Sequence, residues 1–205
     1  MSKKKPPVLF LLNKHLLPVL GARRYFFIAG LVIAAPGYRR RFRSSADDNG
    51  LKEFKKTFLL VGALYHELVK IVGEEVAIRT TTHFLTDVAN AVQRNWYIPP
   101  TNSPRSFEAF HDEHEHQMQH GLIRHNVHDE IIADNNQYQF HITRCLFHEA
   151  FSDMGFPWLT EVFCHSDEVV FNEYSPDMSF HRGDDKENTI ARGAKQCTFI
   201  FRKLN

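Results

Sequence analysis

Residues 143–202 read TRCLFHEAFSDMGFPWLTEVFCHSDEVVFNEYSPDMSFHRGDDKENTIARGAKQCTFIFR, and the alternation of patterns within them decides the fold. This stretch holds all three cysteines of the chain, Cys145, Cys164 and Cys197. Leu146, Phe147, Ala150, Phe151 and Met154 recur at helical spacing, and Gly155 followed by Pro157 stops that helix. A second helix begins at Pro157, where a first-turn proline is tolerated. It carries Leu159, Val162, Phe163, Val169 and Val170 as an apolar stripe until Ser175 and Pro176 end it. Cys164 and Asp167 stand three residues apart on this helix and therefore share a face. Residues 178–182 then read as a short strand. Residues 196–202 read as a clear one, with Cys197, Phe199 and Phe201 alternating against Thr198, Ile200 and Arg202.

Working outward, residues 127–133 and 138–143 flank Asp134-Asn135-Asn136, a turn rich in residues that tolerate left-handed backbone. Tyr138, Phe140 and Ile142 face one way, and Gln139, His141 and Thr143 the other. With the two later strands this gives a four-stranded, mainly antiparallel sheet. Further upstream, Phe58, Val61, Leu64, Tyr65, Leu68 and Val72 make an amphipathic helix from Phe54, ended by Gly73. The next helix begins at Glu74 and shows Val76, Thr80, Phe84, Val88 and Val92 on one side, and Ile98-Pro99-Pro100 closes the pair. Ser106 caps a third helix in which Phe107, Phe110, His114 and Met118 share a face until Gly121. The expected fold is α+β, a four-stranded sheet with helices packed on it, preceded by an N-terminal helical arm. The cluster ADDNG at 46–50 is the expected linker, dividing an arm at 1–50 from a domain at 51–205.

The arm has two apolar patches, 8–20 and 25–35, separated by Arg23 and Arg24 and followed by RRRFR from Arg39. The longer uninterrupted patch spans eleven residues, short of the roughly 18–20 that cross a bilayer. Pro18 and Gly21 are expected to break the first helix early. Residues 8–43 read either as a helix at a membrane surface with arginines at the headgroups, or as an arm packed on the core or on a second subunit. A homodimer and peripheral membrane contact are the partner readings carried forward. With 25 basic and 24 acidic side chains the chain lacks the extended positive surface that nucleic acid requires, so no nucleic-acid partner is expected. Three cysteines without a short paired motif point to reduced thiols and a cytoplasmic location.

The order C-x-F-x-E at 145–149, G-x-P at 155–157, F-C-x-x-D at 163–167, T-I-A-x-G at 189–193 and C-x-F-x-F at 197–201 resembles the L-2-amino-thiazoline-4-carboxylic acid hydrolase family. More distantly, a glycine four residues before C-x-F is similar to the 4-vinyl reductase domain, a small-molecule-binding α/β fold. The first resemblance implies hydrolysis of a C–N or C–S bond in a cyclic amidine-like small molecule, in a biosynthetic or catabolic pathway. No cofactor and no metal are expected. Such chemistry needs a nucleophile or activated water, a proton carrier and a group opposite the substrate's charge. The catalytic candidates are Cys145, Cys164, Asp167, His148 and Glu149. Those for substrate binding are His165, Thr143, His141 and Arg192, the last as a clamp on a carboxylate.

Cys145 opens a helix directly after a strand, so its thiol is expected to have a lowered pKa. The alternative for each cysteine is a small buried hydrophobe, and Cys197 alternates in phase with two phenylalanines. His181 and Arg182 are further candidates for the same cavity. A non-catalytic binding module, or an isomerase or cyclase on the same fold, stays open beside the hydrolase. The segment FHDEHEHQMQHGLIRHNVHDE at 110–130 contains six histidines; His116 and His120 could point the same way as metal ligands, but no third ligand is fixed by the spacing. His111 or His114 could instead line a pocket or sense pH.

Overall fold

Asp48 opens the helical half of the molecule by accepting a hydrogen bond from the Leu51 amide at 2.9 Å, which caps α3 (Asn49–Thr57). The computed structural model describes residues 7–43, 48–98, 105–174, 177–183 and 188–204. Ala46 and Asp47 of the expected linker, Pro99-Pro100, Ser175-Pro176 and most of the loop GDDKEN lie outside them. At the described end of that cluster Asn49 and Gly50 belong to α3, and Gly50 is buried where an added Cβ would stand 2.8 Å from Leu146 Cδ1.

Helices α4 (Leu59–Val72) and α5 (Glu74–Tyr97) follow, joined through Gly73 at φ 81°, a left-handed value that favours glycine. The helix expected from Phe54 onward is thus two, divided at Phe58, where the backbone leaves helical values. The buried face of α5 is carried by Ala77, Thr81, Leu85, Ala89, Gln93 and Tyr97, with Val88 and Val92 beside it on the cavity. After α6 (Phe107–His120), capped by the Ser106 side chain, the chain enters the sheet. Strands β1 (Val127–Ala133), β2 (Gln137–Arg144), β3 (Met178–His181) and β4 (Cys197–Lys203) pair in the order β1-β2-β4-β3, antiparallel throughout.

The α+β architecture with its N-terminal helices matches the reading of the sequence. In β2, Tyr138, Phe140 and Ile142 are buried as alternation requires. In β4 the opposite face is covered as well: Thr198 and Ile200 are buried along with Cys197, Phe199 and Phe201. The strand is central, and Asn188 closes over Thr198 with a 3.1 Å hydrogen bond to its hydroxyl.

Between β2 and β4, α7 (Leu146–Met154) and α8 (Thr160–Tyr174) complete the fold. Two aromatic cores result. One gathers α3, α4, α5 and α7 around Phe54, Phe151 and Phe156. The other gathers the sheet, α6 and the end of α8 around Phe110, Phe171 and Phe201.

The arm forms α1 (Val8–Leu20) and α2 (Arg24–Arg41), with Gly21 at φ 53° breaking the helical path between them. Pro18 lies inside α1 rather than ending it. Together they run from Val8 to Arg41, a stretch long and apolar enough by composition to cross a membrane. They nevertheless pack on the body, α1 along α5 and α2 along α4, through Leu16, Leu20, Leu31 and Tyr38.

Candidate active site

Where the two cores meet, the packing leaves a cavity of about 590 Å³, within the roughly 300–1,000 Å³ of small-molecule sites. Its lining is mostly apolar, with one polar cluster. There Cys145, Cys164, Asp167, Arg182, Cys197 and Gln93 converge from separate elements. Cys145 is the N-cap residue of α7; Cys164 and Asp167 lie one turn apart on α8; Cys197 begins β4. Arg182 follows β3 in the inward phase of Met178 and Phe180, and Gln93 continues the buried ridge of α5.

The anchor of this floor is a buried ion pair. Arg182 Nη2 donates to Asp167 Oδ2 at 2.9 Å, and Gln93 Nε2 donates to Asp167 Oδ1 at 2.7 Å. The Gln93 amide is oriented in turn by Ser166, whose hydroxyl oxygen stands 2.9 Å from Gln93 Oε1 and 2.8 Å from Asn90 Oδ1. The guanidinium lies over the Phe199 ring at 4.4 Å and the Phe180 ring at 5.3 Å. Its Nε is buried and finds no hydrogen-bond partner among the described residues. A buried orphan donor is costly, and a ligand acceptor would satisfy it.

Burial raises the Asp167 carboxyl above the ordinary carboxylate range, and the Arg182 charge with the Gln93 and Arg182 hydrogen bonds only partly opposes that. Asp167 is thus a better proton acceptor than an exposed carboxylate. Burial also pushes the Cys145 thiol up to about 12 and raises those of Cys164 and Cys197. The expectation of a lowered Cys145 pKa fails here. Its thiol does meet the backbone amides of His148 and Phe147 at the start of α7, but desolvation outweighs them. All three thiols are neutral at pH 7, and Cys197 Sγ accepts from the Ile190 amide at 3.2 Å.

A family model described as L-2-amino-thiazoline-4-carboxylic acid hydrolase matches residues 52–201. The chain belongs to that family. No curated protein and no solved structure matches it. The segment shared with the hydrolase family contains every residue of the polar floor and stops short of the arm. The family's name points to a small-molecule hydrolase.

Of the residues proposed from sequence, Cys145, Cys164 and Asp167 line the cavity together with the further candidates Arg182, Cys197 and His114, whereas His148, Glu149, His165, Thr143, His141 and Arg192 are not among its lining residues. Glu149 is engaged elsewhere. Its carboxylate takes both the Nε and Nη2 of Arg144, at 2.7 and 2.6 Å, and Arg144 Nη2 reaches Asp48 at 2.7 Å, so this group ties α7 to the start of α3. His148 is on the same helix with its Nδ1 buried. His141 Nδ1 lies 2.9 Å from Gln196 Nε2, and the Thr143 hydroxyl, exposed near the end of β2, faces Val127 O at 3.4 Å. His165 points to solvent because it follows Cys164 by one residue on α8, a turn of about 100° away. Arg192 lies near Glu161, at 3.4 Å, on the surface, so the cation at the cavity is Arg182.

Two floor residues carried a signal in the sequence. Arg182 continues the period of two through Met178 and Phe180, which makes it an inward-facing charge. Gln93 stands four residues from Ala89 and from Tyr97 on the buried ridge of α5. His114 also lines the cavity, and burial lowers its imidazole to about 3. His116 and His120 face each other at 4.8 Å, but among the described residues no group of three His, Cys, Asp or Glu is placed to hold a metal ion.

Proposed function

We propose that the chain hydrolyses a C–N or C–S bond of a cyclic amidine-like small molecule, opening its ring at the floor of the cavity. The observation that carries this reading is the buried Asp167–Arg182 pair set beside three thiols in an otherwise apolar chamber. Asp167 takes a proton from an attacking water, whose oxygen adds to the ring carbon bonded to nitrogen and sulfur. The tetrahedral adduct collapses with cleavage of the C–S or C–N bond, and the proton on Asp167 passes to the departing sulfur or nitrogen. Arg182, with its unpartnered Nε, binds a substrate carboxylate or the charge that develops on the adduct. The raised thiols favour water over a standing thiolate as nucleophile. Cys164 can still enter as a nucleophile by passing its proton to Asp167 one turn away. The volume and greasy walls favour a substrate with an apolar body behind its polar head.

The test is incubation with L-2-amino-thiazoline-4-carboxylate, following loss of the ring. Asp167→Asn is expected to lower turnover by roughly 10²–10⁴-fold in protein that circular dichroism shows to be still folded. Equal turnover by the variant and the unaltered chain overturns the reading. The second reading is a non-catalytic binding module, favoured by the neutrality of all three thiols; it predicts binding of the same compound without turnover.

A further inference from the structure

Charge is distributed very unevenly along this nearly neutral chain. Ten of its 25 basic residues and none of its 24 acidic residues fall in residues 1–46, so that segment carries +10 and the remainder −9, with histidines neutral. Asymmetry of this size marks a segment that meets an anionic partner.

The surface that α2 shows to solvent is equally unusual. No charged side chain occurs from Tyr25 to Tyr38. Ile28, Leu31 and Tyr38 turn inward, while Phe26 is 85% and Ile33 80% exposed on the other side. A helix lying on a water-soluble body normally turns charged or polar residues outward. Here the outward face is Phe26, Ala29, Gly30 and Ile33, bracketed by Arg23 and Arg24 at one end and Arg39, Arg40 and Arg41 at the other. Leu9 and Val32, 67% and 66% exposed, and Leu60 extend the apolar surface along the cavity's open rim. Next to Leu60, Leu59 borders a recess of about 280 Å³ where Arg39, Arg43, Lys52, Lys55 and Lys56 gather. Lys55 there is engaged by Asp153 at 2.6 Å.

From these observations we infer that the α1–α2 arm docks in the plane of an anionic lipid bilayer. Phe26, Ile33, Leu9 and Val32 enter the acyl boundary, and the arginines and the lysine recess meet the headgroups. Apolar outward residues bracketed by cations match a layer that is greasy inside and negative at its surface. A nucleic acid would pair with the cations but leave Phe26 and Ile33 in water. A second copy of the arm would bring +10 against +10. Asp167 and Arg182 are not among the residues that enter the lipid, so docking leaves the floor intact while turning Leu9 and Val32 of the cavity wall toward the bilayer.

The experiment is co-sedimentation of the full chain with phosphatidylcholine vesicles, with and without roughly a third phosphatidylserine. The chain is expected to pellet with the anionic vesicles at least tenfold more than with the neutral ones. Binding should weaken as salt shortens the Debye length from about 10 Å at 0.1 M to about 3 Å at 1 M. Charge reversal in Arg39→Glu with Arg40→Glu should lower the partition coefficient at least tenfold, near the loss of two contacts of about 1 kcal/mol each. Phe26→Ser with Ile33→Ser, both on the exposed face, should abolish binding while circular dichroism and the thermal midpoint stay unchanged. Pelleting that ignores lipid charge, or that survives both double variants, overturns the inference. So does a stable dimer or an RNA complex formed by a chain that leaves anionic vesicles unbound.

Discussion

The floor and the arm-side wall of the cavity are made of opposite materials. At the floor, α5, α7, α8, β4 and the residue that follows β3 bring a carboxylate, a guanidinium, an amide and three thiols together beside the Phe180 and Phe199 rings. At the wall, α1 and α2 contribute Val8, Leu9, Leu12, Ile28, Leu31 and Val32 without one polar side chain. The family match divides the molecule along the same line, covering 52–201 and leaving the arm outside. The difference separates two tasks. Under the proposed function, bond breaking would draw on the buried, oriented charge of the shared segment, and selecting and admitting the compound would fall to the wall.

If that division holds, substitutions at the floor should cost far more stability than those at the rim. The largest effect is expected for Arg182→Gln, which strands Asp167 without its cation. Removing one partner of a buried pair costs about 3–5 kcal/mol, read as the loss of unfolding free energy in urea. A loss below about 1 kcal/mol would break the comparison.

The next effect lies beside the floor, at His114. Burial holds its folded pKa at about 3, while the unfolded chain protonates near 6.5. A depressed histidine leaves stability intact above about 6.5 and lost progressively as pH falls toward 3. Near pH 5 the loss is about 2 kcal/mol. His114→Phe, placed among Phe110, Phe140 and Tyr97, should remove that acid sensitivity in thermal melts. Identical acid melts for the two chains would show that His114 does not set it. The smallest effects are expected on the surface: Val32→Ala at the rim and Arg192→Ala outside the cavity should each shift stability by under about 0.5 kcal/mol. Only Val32→Ala should weaken the retention of apolar ligands, and equal retention by both would detach the wall from selection.

Much of the floor was legible because local periodicity controls it. Cys164 and Asp167 share a face by helical spacing, and Cys145 caps the helix that its flanking pattern defines. Arg182 was legible as a charge in the inward phase of a strand, whereas Arg192 lies in a loop whose side-chain directions no periodicity fixes. The sign of the thiol shift was not legible. A helix start lowers a thiol pKa and burial raises it, and which prevails depends on tertiary packing around Cys145. The engagement of Glu149 was hidden for a similar reason, since its partner's other contact, Asp48, lies about a hundred residues upstream. The sheet was easier, because alternation in β2 and β4 and the turn at 134–136 act over a few residues. The docking of the arm on α4 and α5 rests on contacts that no window of sequence contains.

The account rests on Asp167 as a buried acid that holds its proton more tightly than an exposed carboxylate, with Arg182 restraining the shift. Carbon-13 NMR of the side-chain carboxyl across a pH titration measures this without a substrate. The predicted midpoint lies above the ordinary value of about 3.9 and rises further in Arg182→Gln. A midpoint at or below 3.9 in the unaltered chain, or one that Arg182→Gln leaves in place, would contradict it.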